Sequence, residues 1–342
     1  MHIDPRLCPL MIALIASCAS SPAPGASVEH AKASEIFGPS FGEDGAFLRK
    51  HSAVVVLSDA SGAARVVVAP AYQGRVMTST AAGDSGASYG FIHREVIEQG
   101  ERAPHITVFG GEERFWLGPE AGQYGLYFAP GAPFDLSSWQ VPEPIDWGAW
   151  EVTAQSPREI SLHRDMQLTN YSKTRFDLGV DRTVKLLERA AAAQAFGVEL
   201  PPQAALVGYE SVNTIRNSGS AAWVKDKGLL SIWILGMFKP SPHTTIVIPF
   251  RAGPESELGP VVNDAYFGKV PEDRLRIDDG VLFFRGDGQQ RGKIGIPRPR
   301  ARNLVGAYDA QNRVLTLVQL SLDEQATDYV NSLWEQQANP YA

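Results

Sequence analysis

Cysteine is almost absent from this sequence: of its 342 residues only Cys8 and Cys18 are cysteines, and both lie among the first eighteen. Disulfides, thiolate metal sites and cysteine nucleophiles all require this residue, so the rest of the chain contains none of them. The sequence also lacks a phosphate-binding P-loop, a His-Glu-x-x-His zinc motif and a dinucleotide-binding glycine pattern. The acidic pair Asp278-Asp279 does not have the spacing of an EF-hand loop. We therefore predict neither a cofactor nor a metal site.

Positive charge is in short supply as well. The chain carries 31 lysines and arginines against 38 aspartates and glutamates, for a net charge of −7 and an isoelectric point near 5.6. A general nucleic-acid surface needs concentrated positive charge, so nucleic acid is not an expected partner. No segment after the first residues is apolar for long enough to span a bilayer.

The N-terminal residues predict export and lipid attachment. Leu7–Ile15 is an apolar run that is too short to span a bilayer but suits the core of a signal peptide. It leads into Ile15-Ala16-Ser17-Cys18, which resembles a bacterial lipobox, and Ala19 after the cysteine favours the outer membrane. We predict a signal peptide over 1–18, lipidation of Cys18, and a tether with a leading loop over 19–45. The alternative is an ordinary cleaved signal peptide with a cysteine near the cut.

The body of the chain predicts antiparallel β-structure. Val54–Leu57 and Arg65–Ala69 are β-branched runs around a turn cluster, which indicates a hairpin. Glu159–Thr169 alternates apolar and polar residues, as a strand with one buried face does. Short helices are predicted near 188–196 and 323–337. We expect one all-β domain over 46–342, a sandwich of large antiparallel sheets with few helices, acting as a monomer.

Gly110–Gln123, with the sequence GGEERFWLGPEAGQ, packs two acids, an arginine, a tryptophan, a further glutamate and a glutamine between glycines. Apolar runs at Ile106–Phe109 and Tyr124–Phe128 flank it, which predicts strands joined by a polar connection at a sheet edge. Such connections often carry binding or catalytic residues. The alternative is a scaffold in which Trp116 packs and Arg114 pairs with a neighbouring glutamate.

Several stretches together resemble a family of uncharacterised exported bacterial proteins in the galactose mutarotase-like superfamily. The similarity covers most of the chain from about residue 46 and rests on Gly110–Gln123, Asp181–Leu187, Gly228–Phe238, Asn263–Leu275, Arg291–Ala301 and Tyr329–Tyr341. The resemblance implies a β-supersandwich that binds sugar on a concave sheet. It also implies a histidine that acts as general acid and a glutamate near the C-terminus that acts as general base. No histidine of this sequence aligns clearly with the first. The sequence reaches Ala342 without the acidic segment that would supply the second. We expect the last strands of the family to be missing.

Sugar ring opening requires one group that removes the anomeric hydroxyl proton and another that protonates the ring oxygen. Glu120 is the predicted base, and His163 or His105 the predicted acid. A sugar site also needs aromatic platforms and donors for hydroxyl groups. The predicted platforms are Trp116, Trp233 and Tyr266, and the predicted donors are Arg75, Arg114, Gln123 and Lys293.

The segment Arg285–Arg302 is rich in basic residues, among them Arg291 and Lys293, and its preferred interpretation is a solvated face. The alternative is attraction of an anionic sugar or glycan. Because the late glutamate is missing, the sequence favours a lipid-anchored carbohydrate-binding protein of the periplasmic face. A cofactor-independent mutarotase or epimerase and a structural envelope protein are the alternatives.

Overall fold

The structure is a computed structural model that describes residues 10–17, 38–264, 266–323, 325 and 333–341. Within them strands are the main regular secondary structure, and the helices are few and short. The strands are β1 Leu10–Ser17, β2 Val55–Ser58, β3 Arg65–Ala69, β4 Arg75–Thr80, β5 Arg114–Gly118, β6 Glu151–Gln155, β7 Glu159–Thr169, β8 Arg175–Leu186, β9 Ala205–Asn217, β10 Ser231–Leu235, β11 Thr244–Pro249, β12 Leu275–Asp278, β13 Val281–Arg285, β14 Leu304–Asp309 and β15 Val314–Leu320. The helices are α1 Phe41–His51, α2 Arg94–Gln99, α3 Glu143–Asp146, α4 Arg189–Phe196 and α5 Glu255–Leu258.

The strands form one large antiparallel sheet and two small ones. The large sheet has ten strands in the order β12-β13-β11-β14-β15-β1-β9-β8-β7-β6. The small sheets are β2-β3-β4 and β10-β5. This antiparallel, mostly-β architecture confirms the predicted all-β fold class.

The main core lies between the large sheet and the small ones. Buried apolar residues of β3 and β5, such as Val66 and Phe115, belong to one cluster with residues of β7, β8 and β9, such as Leu162, Leu178 and Val207. A second cluster covers the other face of the three-stranded sheet, where α1 and α2 pack on Val67 and Met77. The three-stranded sheet is therefore buried on both faces, and polar side chains on it need internal partners.

Local sequence patterns predicted several of the elements well. In β7 the residues Ile160, Leu162, Met166 and Leu168 are buried and their neighbours are not, which matches the predicted alternation. The predicted hairpin is β2 and β3, which pair with Val55 opposite Val68. The alanine-rich helix is α4, whose end is marked by Gly197 at φ 63°, a conformation that suits glycine.

Two predictions about local structure are wrong. The leading loop predicted up to residue 45 instead contains the start of α1, where the Ser40 side chain and Glu43 form a capping box. The runs Ile106–Phe109 and Tyr124–Phe128 are not strands; the strand is β5, inside the predicted connection. The helix predicted over 323–337 falls largely outside the described residues, and its described end, 333–337, is irregular.

The first strand, β1, pairs with β9 on one side and β15 on the other, with Leu14 opposite Gly208 and Leu317. These are the same residues that form most of the predicted signal-peptide core. Cys18 and the tether over 19–37 lie outside the described residues. Among the described helices, none has the length and apolar character needed to cross a membrane.

Candidate functional site

The first half of the Gly110–Gln123 stretch is buried scaffold. Residues of β5 pair with β10, with Trp116 opposite Trp233. Ahead of the strand, Glu112 accepts hydrogen bonds from the backbone and the hydroxyl of Ser79, the latter at 2.9 Å. Glu113 lies 2.7 Å from the guanidinium of Arg182, and both side chains are fully buried. Glu112 therefore joins the start of β5 to β4 of the three-stranded sheet, and Glu113 joins it to β8 of the large sheet.

Three predicted sugar-binding residues belong to this interior. Arg75 is fully buried and donates to the Gly110 carbonyl at 2.7 Å and to Gln73 at 2.8 Å. The Arg114 guanidinium carbon lies 3.9 Å from the ring centroid of Trp116. Burial lowers the pKa of Arg114 to about 10, and nearby Tyr127 and Asp146 oppose the change. Since Trp116 is only 3% exposed, its ring offers no face to a ligand from solvent.

Glu120 is the centre of a different arrangement. It follows the cis peptide bond between Gly118 and Pro119 and is 6% exposed. One carboxylate oxygen accepts from the indole nitrogens of Trp139 at 2.9 Å and Trp334 at 3.2 Å. The other accepts from the Tyr266 hydroxyl at 3.1 Å. Three aromatic donors from three separate parts of the chain therefore orient one buried carboxylate.

A partly open cavity of about 340 Å³ lies against two of the donors to this carboxylate. Its lining includes Tyr266 and Trp334, the same two side chains that donate to Glu120, together with Asn263, Phe267 and Leu333. The volume and the mostly aromatic lining with a few polar atoms are those of a small-molecule site. Glu120 stands directly behind the aromatic wall of this cavity.

Two cations lie over the aromatic residues of the cavity. The Lys293 amino group is 3.6 Å from the ring centroid of Tyr266 and 5.9 Å from that of Trp233. The Arg291 guanidinium carbon is 3.9 Å from the ring centroid of Phe267. Burial lowers the pKa of Lys293, while the Glu120 carboxylate acts in the opposite direction. Burial and the Glu120 carboxylate also raise the pKa of the Tyr266 hydroxyl. Tyr266 therefore remains a neutral hydrogen-bond donor at physiological pH.

The structure brings Glu120, Tyr266, Lys293 and the edge of Trp233 together, but the two histidines lie elsewhere. His163 is on the face of β7 opposite the buried row, 2.7 Å from Asp181 and 3.4 Å from Asp165. Its hydrogen bond with Asp181 raises its pKa. His105 bonds the backbone carbonyl of Trp139, so it supports the loop that carries one of the donors to Glu120.

Gln123 holds the C-terminal segment rather than a ligand. Its side-chain nitrogen donates to the Gln337 carbonyl at 2.6 Å, and its side-chain oxygen accepts from the Gln337 amide at 3.1 Å. Gln337 is three residues beyond Trp334 in the sequence. Gln123 therefore helps to fix the position of an indole that lines the cavity.

A serine-containing motif elsewhere in the chain has no matching site. Gly86-Ala87-Ser88-Tyr89-Gly90 has the Gly-x-Ser-x-Gly spacing of hydrolase nucleophiles. Ser88, however, is fully buried and shares a 2.7 Å hydrogen bond with Thr78. Because a nucleophile needs an adjacent base and access to substrate, this motif is structural here.

Sequence reasoning did not select Trp139, Trp334, Phe267 or Asn263. Trp139 lies in the segment 130–144, which contains four prolines, and Trp334 lies in the helix predicted over 323–337. The only signal that marked them was residue type, since aromatic side chains with an N–H donor are common where a polar ligand meets a flat surface. Their proximity to Glu120 follows from the fold alone.

The fold and the site define a mostly antiparallel β-protein with a partly open, aromatic-lined cavity backed by a buried carboxylate. The chain belongs to DUF6786, a family of unknown function, which matches residues 39–342. Among solved structures it is similar to the Slr1438 protein of Synechocystis sp. PCC 6803, with 16% identity over 79% of this chain and 85% of that one and a TM-score of 0.31. No curated protein matches the chain. The resemblance to mutarotases stays a prediction.

Proposed function

We propose that the cavity beside Glu120 binds a sugar. The observation that carries this proposal is that Tyr266 and Trp334 both line the cavity and both donate to the buried Glu120 carboxylate. A sugar ring has an apolar C–H face and hydroxyl groups at its edge. Aromatic walls suit the face, and fixed polar atoms suit the hydroxyls.

The arrangement is organised before a ligand arrives. Glu120 is held by three donors, so Tyr266 and Trp334 have little rotational freedom to lose on binding. A rigid wall lowers the entropic cost of association. The Tyr266 oxygen, which donates its proton to Glu120, still has lone pairs that accept from a sugar hydroxyl.

A mutarotase or epimerase activity is the second candidate. It is favoured by the hydrogen bond that joins the Tyr266 hydroxyl in the cavity wall to the Glu120 carboxylate. In this version Glu120 receives the anomeric proton through Tyr266, and the Lys293 ammonium protonates the ring oxygen. Neither His163 nor His105 has Glu120 among its hydrogen-bond partners, so the proposal assigns them no part in proton transfer.

Calorimetric and NMR titration with glucose, galactose and glucuronate tests the binding proposal. We expect Trp334→Ala to weaken sugar binding about tenfold or more, because it removes both a wall of the cavity and a donor to Glu120. Trp223→Ala is the matched control, since Trp223 packs on Phe176 and does not line the cavity. Equal affinity in wild type and Trp334→Ala would contradict the proposal.

The same samples separate binding from catalysis. An NMR anomerisation assay that shows turnover in wild type and none in Glu120→Gln would establish the enzyme. Binding without turnover would leave recognition as the function. If no sugar in the panel is bound or turned over, the remaining alternative is a structural envelope protein.

We also propose that this recognition takes place at the cell envelope. Support comes from the apolar run that leads into the lipobox-like Ile15–Cys18. Lipid attachment at Cys18 tethers the domain without a spanning helix.

A further inference from the structure

The connection between β13 and β14 carries two cations onto the cavity that the proposed function uses. Asn263 and Gly295 exchange two backbone hydrogen bonds, both of 2.8 Å. This bridge joins the segment of the cavity-lining residues Asn263, Tyr266 and Phe267 to the segment of Arg291 and Lys293. The backbone therefore holds the segment that carries both cations next to the cavity-lining segment.

Most basic side chains of this region are already engaged. Arg285 lies 3.6 Å from the carboxylate of Asp287. The other three arginines donate to backbone carbonyls: Arg298 to that of Asp323, Arg302 to that of Phe250, and Arg300 to four of them. Arg291 and Lys293 differ from them. Within the described residues, their recorded contacts are with aromatic rings, and neither forms a salt bridge or a hydrogen bond. A structural or solvated role therefore accounts for the other basic residues of the segment. It does not account for Arg291 and Lys293.

The charges at the cavity do not balance. Lys293 and Arg291 bring two positive charges, and Glu120 brings one negative charge whose oxygens accept three neutral donors. The nearby carboxylate of Asp264 lies 3.7 Å from Lys269 and is matched by it. Among these described side chains one positive charge is left over, and a ligand with one negative charge would neutralise it.

We propose that the ligand is a uronic acid residue, a sugar that carries one carboxylate. This inference rests on the proposed sugar site. The apolar face of the sugar packs on the aromatic wall, and its carboxylate lies between Arg291 and Lys293. A guanidinium matches a carboxylate with two parallel hydrogen bonds, and a lysine adds a point charge. A doubly charged phosphate would exceed the single positive charge that the cavity offers, and leaving excess charge partly buried is costly.

The titration compares sodium glucuronate with glucose and with glucose 6-phosphate, in wild type, Arg291→Gln and Lys293→Met. We expect wild type to bind glucuronate at least tenfold more tightly than glucose, because a hydrogen bond to a charged group is worth about that much. Each substitution should remove most of this preference for glucuronate over glucose. Raising the salt concentration from 50 to 500 mM should also weaken glucuronate binding, because salt screens the attraction between the carboxylate and an exposed cation.

Arg276→Gln is the matched control. Arg276 is an exposed arginine over an aromatic ring, 4.5 Å from the centroid of Phe283, but it lies on β12 and not at the cavity. It should leave the preference for glucuronate intact. All three variants are compared by circular dichroism.

The outcomes separate this inference from the function beneath it. Equal affinity for glucose and glucuronate, with Trp334→Ala still weakening both, would overturn the uronate assignment and keep the sugar site. Tighter binding of glucose 6-phosphate than of glucuronate would overturn it as well. Glucuronate binding that survives Trp334→Ala but disappears in Arg291→Gln would mean an anion site without sugar recognition, and would overturn both proposals.

Discussion

Replacing Glu113 with glutamine removes the charge that faces Arg182 in the core. The two side chains are 2.7 Å apart and fully buried. The other partners of Arg182 are the Asn213 side-chain oxygen at 2.6 Å and the Gly74 carbonyl at 2.9 Å, and both are neutral. A buried guanidinium without a counter-charge is strongly destabilising, and loss of one partner of such a pair costs about 3–5 kcal/mol. We expect the free energy of unfolding to fall by that amount.

Denaturant unfolding of four proteins tests this reasoning. Wild type and Glu113→Gln give the cost of the broken pair, and Glu113→Leu with Arg182→Met removes both charges while keeping apolar volume. The double variant should recover most of the loss, because a well-packed apolar pair is often as stable as a buried ion pair. Asp84→Asn is the control: its pair with Arg65 is 2.8 Å long, but the two side chains are 27% and 68% exposed.

Exposed pairs contribute less than about 1 kcal/mol, so the control should change little. The reasoning is refuted if Glu113→Gln changes the unfolding free energy by no more than this control. It is refuted equally if the double variant is no more stable than Glu113→Gln. Either result would mean that the Gly110–Gly118 stretch is not held in place by its buried charges.

Two further predictions concern other parts of the chain. Burial raises the pKa of Glu112 to about 7, with the Ser79 hydrogen bonds opposing, against an unperturbed 4.5. The native state therefore holds this proton more tightly than the unfolded state. Stability should fall as pH rises from about 4.5 to about 7, by on the order of 3 kcal/mol, and level off above. Comparing unfolding free energies of wild type and Glu112→Gln across this range isolates the effect, and identical slopes would contradict it. Cys18→Ser should release the protein from the membrane fraction, whereas retention there would remove the support for lipidation. Mass spectrometry of the native N-terminus adds a direct readout, because processing at Cys18 removes the residues that form β1.

The sequence predicted those parts of the fold whose pattern is set by local exposure. In β7 one face is buried and the other meets solvent, so alternation of residue types reports the structure directly. The β2-β3 hairpin is predictable because a turn cluster separates two β-branched runs, and α4 because an alanine-rich run ends at Gly197. The start of α1 was not predicted although Ser40 and Glu43 have the spacing of a capping box, because the glycines at 38, 42 and 45 favour a loop.

The residues before Glu120 were wrongly predicted to be a polar surface connection, because charged side chains are usually exposed. Glu112 and Glu113 are fully buried, and their partners Ser79 and Arg182 are 33 and 69 positions away in the sequence. No local pattern reports such pairing. A polar run is therefore consistent with either a surface connection or a buried strand that supplies internal ion pairs.

Part of the candidate site could be selected from residue type, although not from position in the sequence. Glu120, Tyr266, Lys293 and Trp233 were selected from their chemistry, and the fold brings them together. Trp139 and Trp334 complete the arrangement, although Trp334 is 214 positions from Glu120. Proximity over that separation depends on the packing of the sheets, which single-sequence patterns do not encode.

The most direct test of the central claim is a crystal structure of the protein soaked with sodium glucuronate. We expect density for one sugar in the cavity lined by Tyr266, Phe267 and Trp334, with its carboxylate between Arg291 and Lys293. The same soak of Trp334→Ala should leave the cavity without sugar. An unoccupied cavity in the wild-type soak, or sugar bound only at another surface, would contradict the claim that this cavity is the functional site.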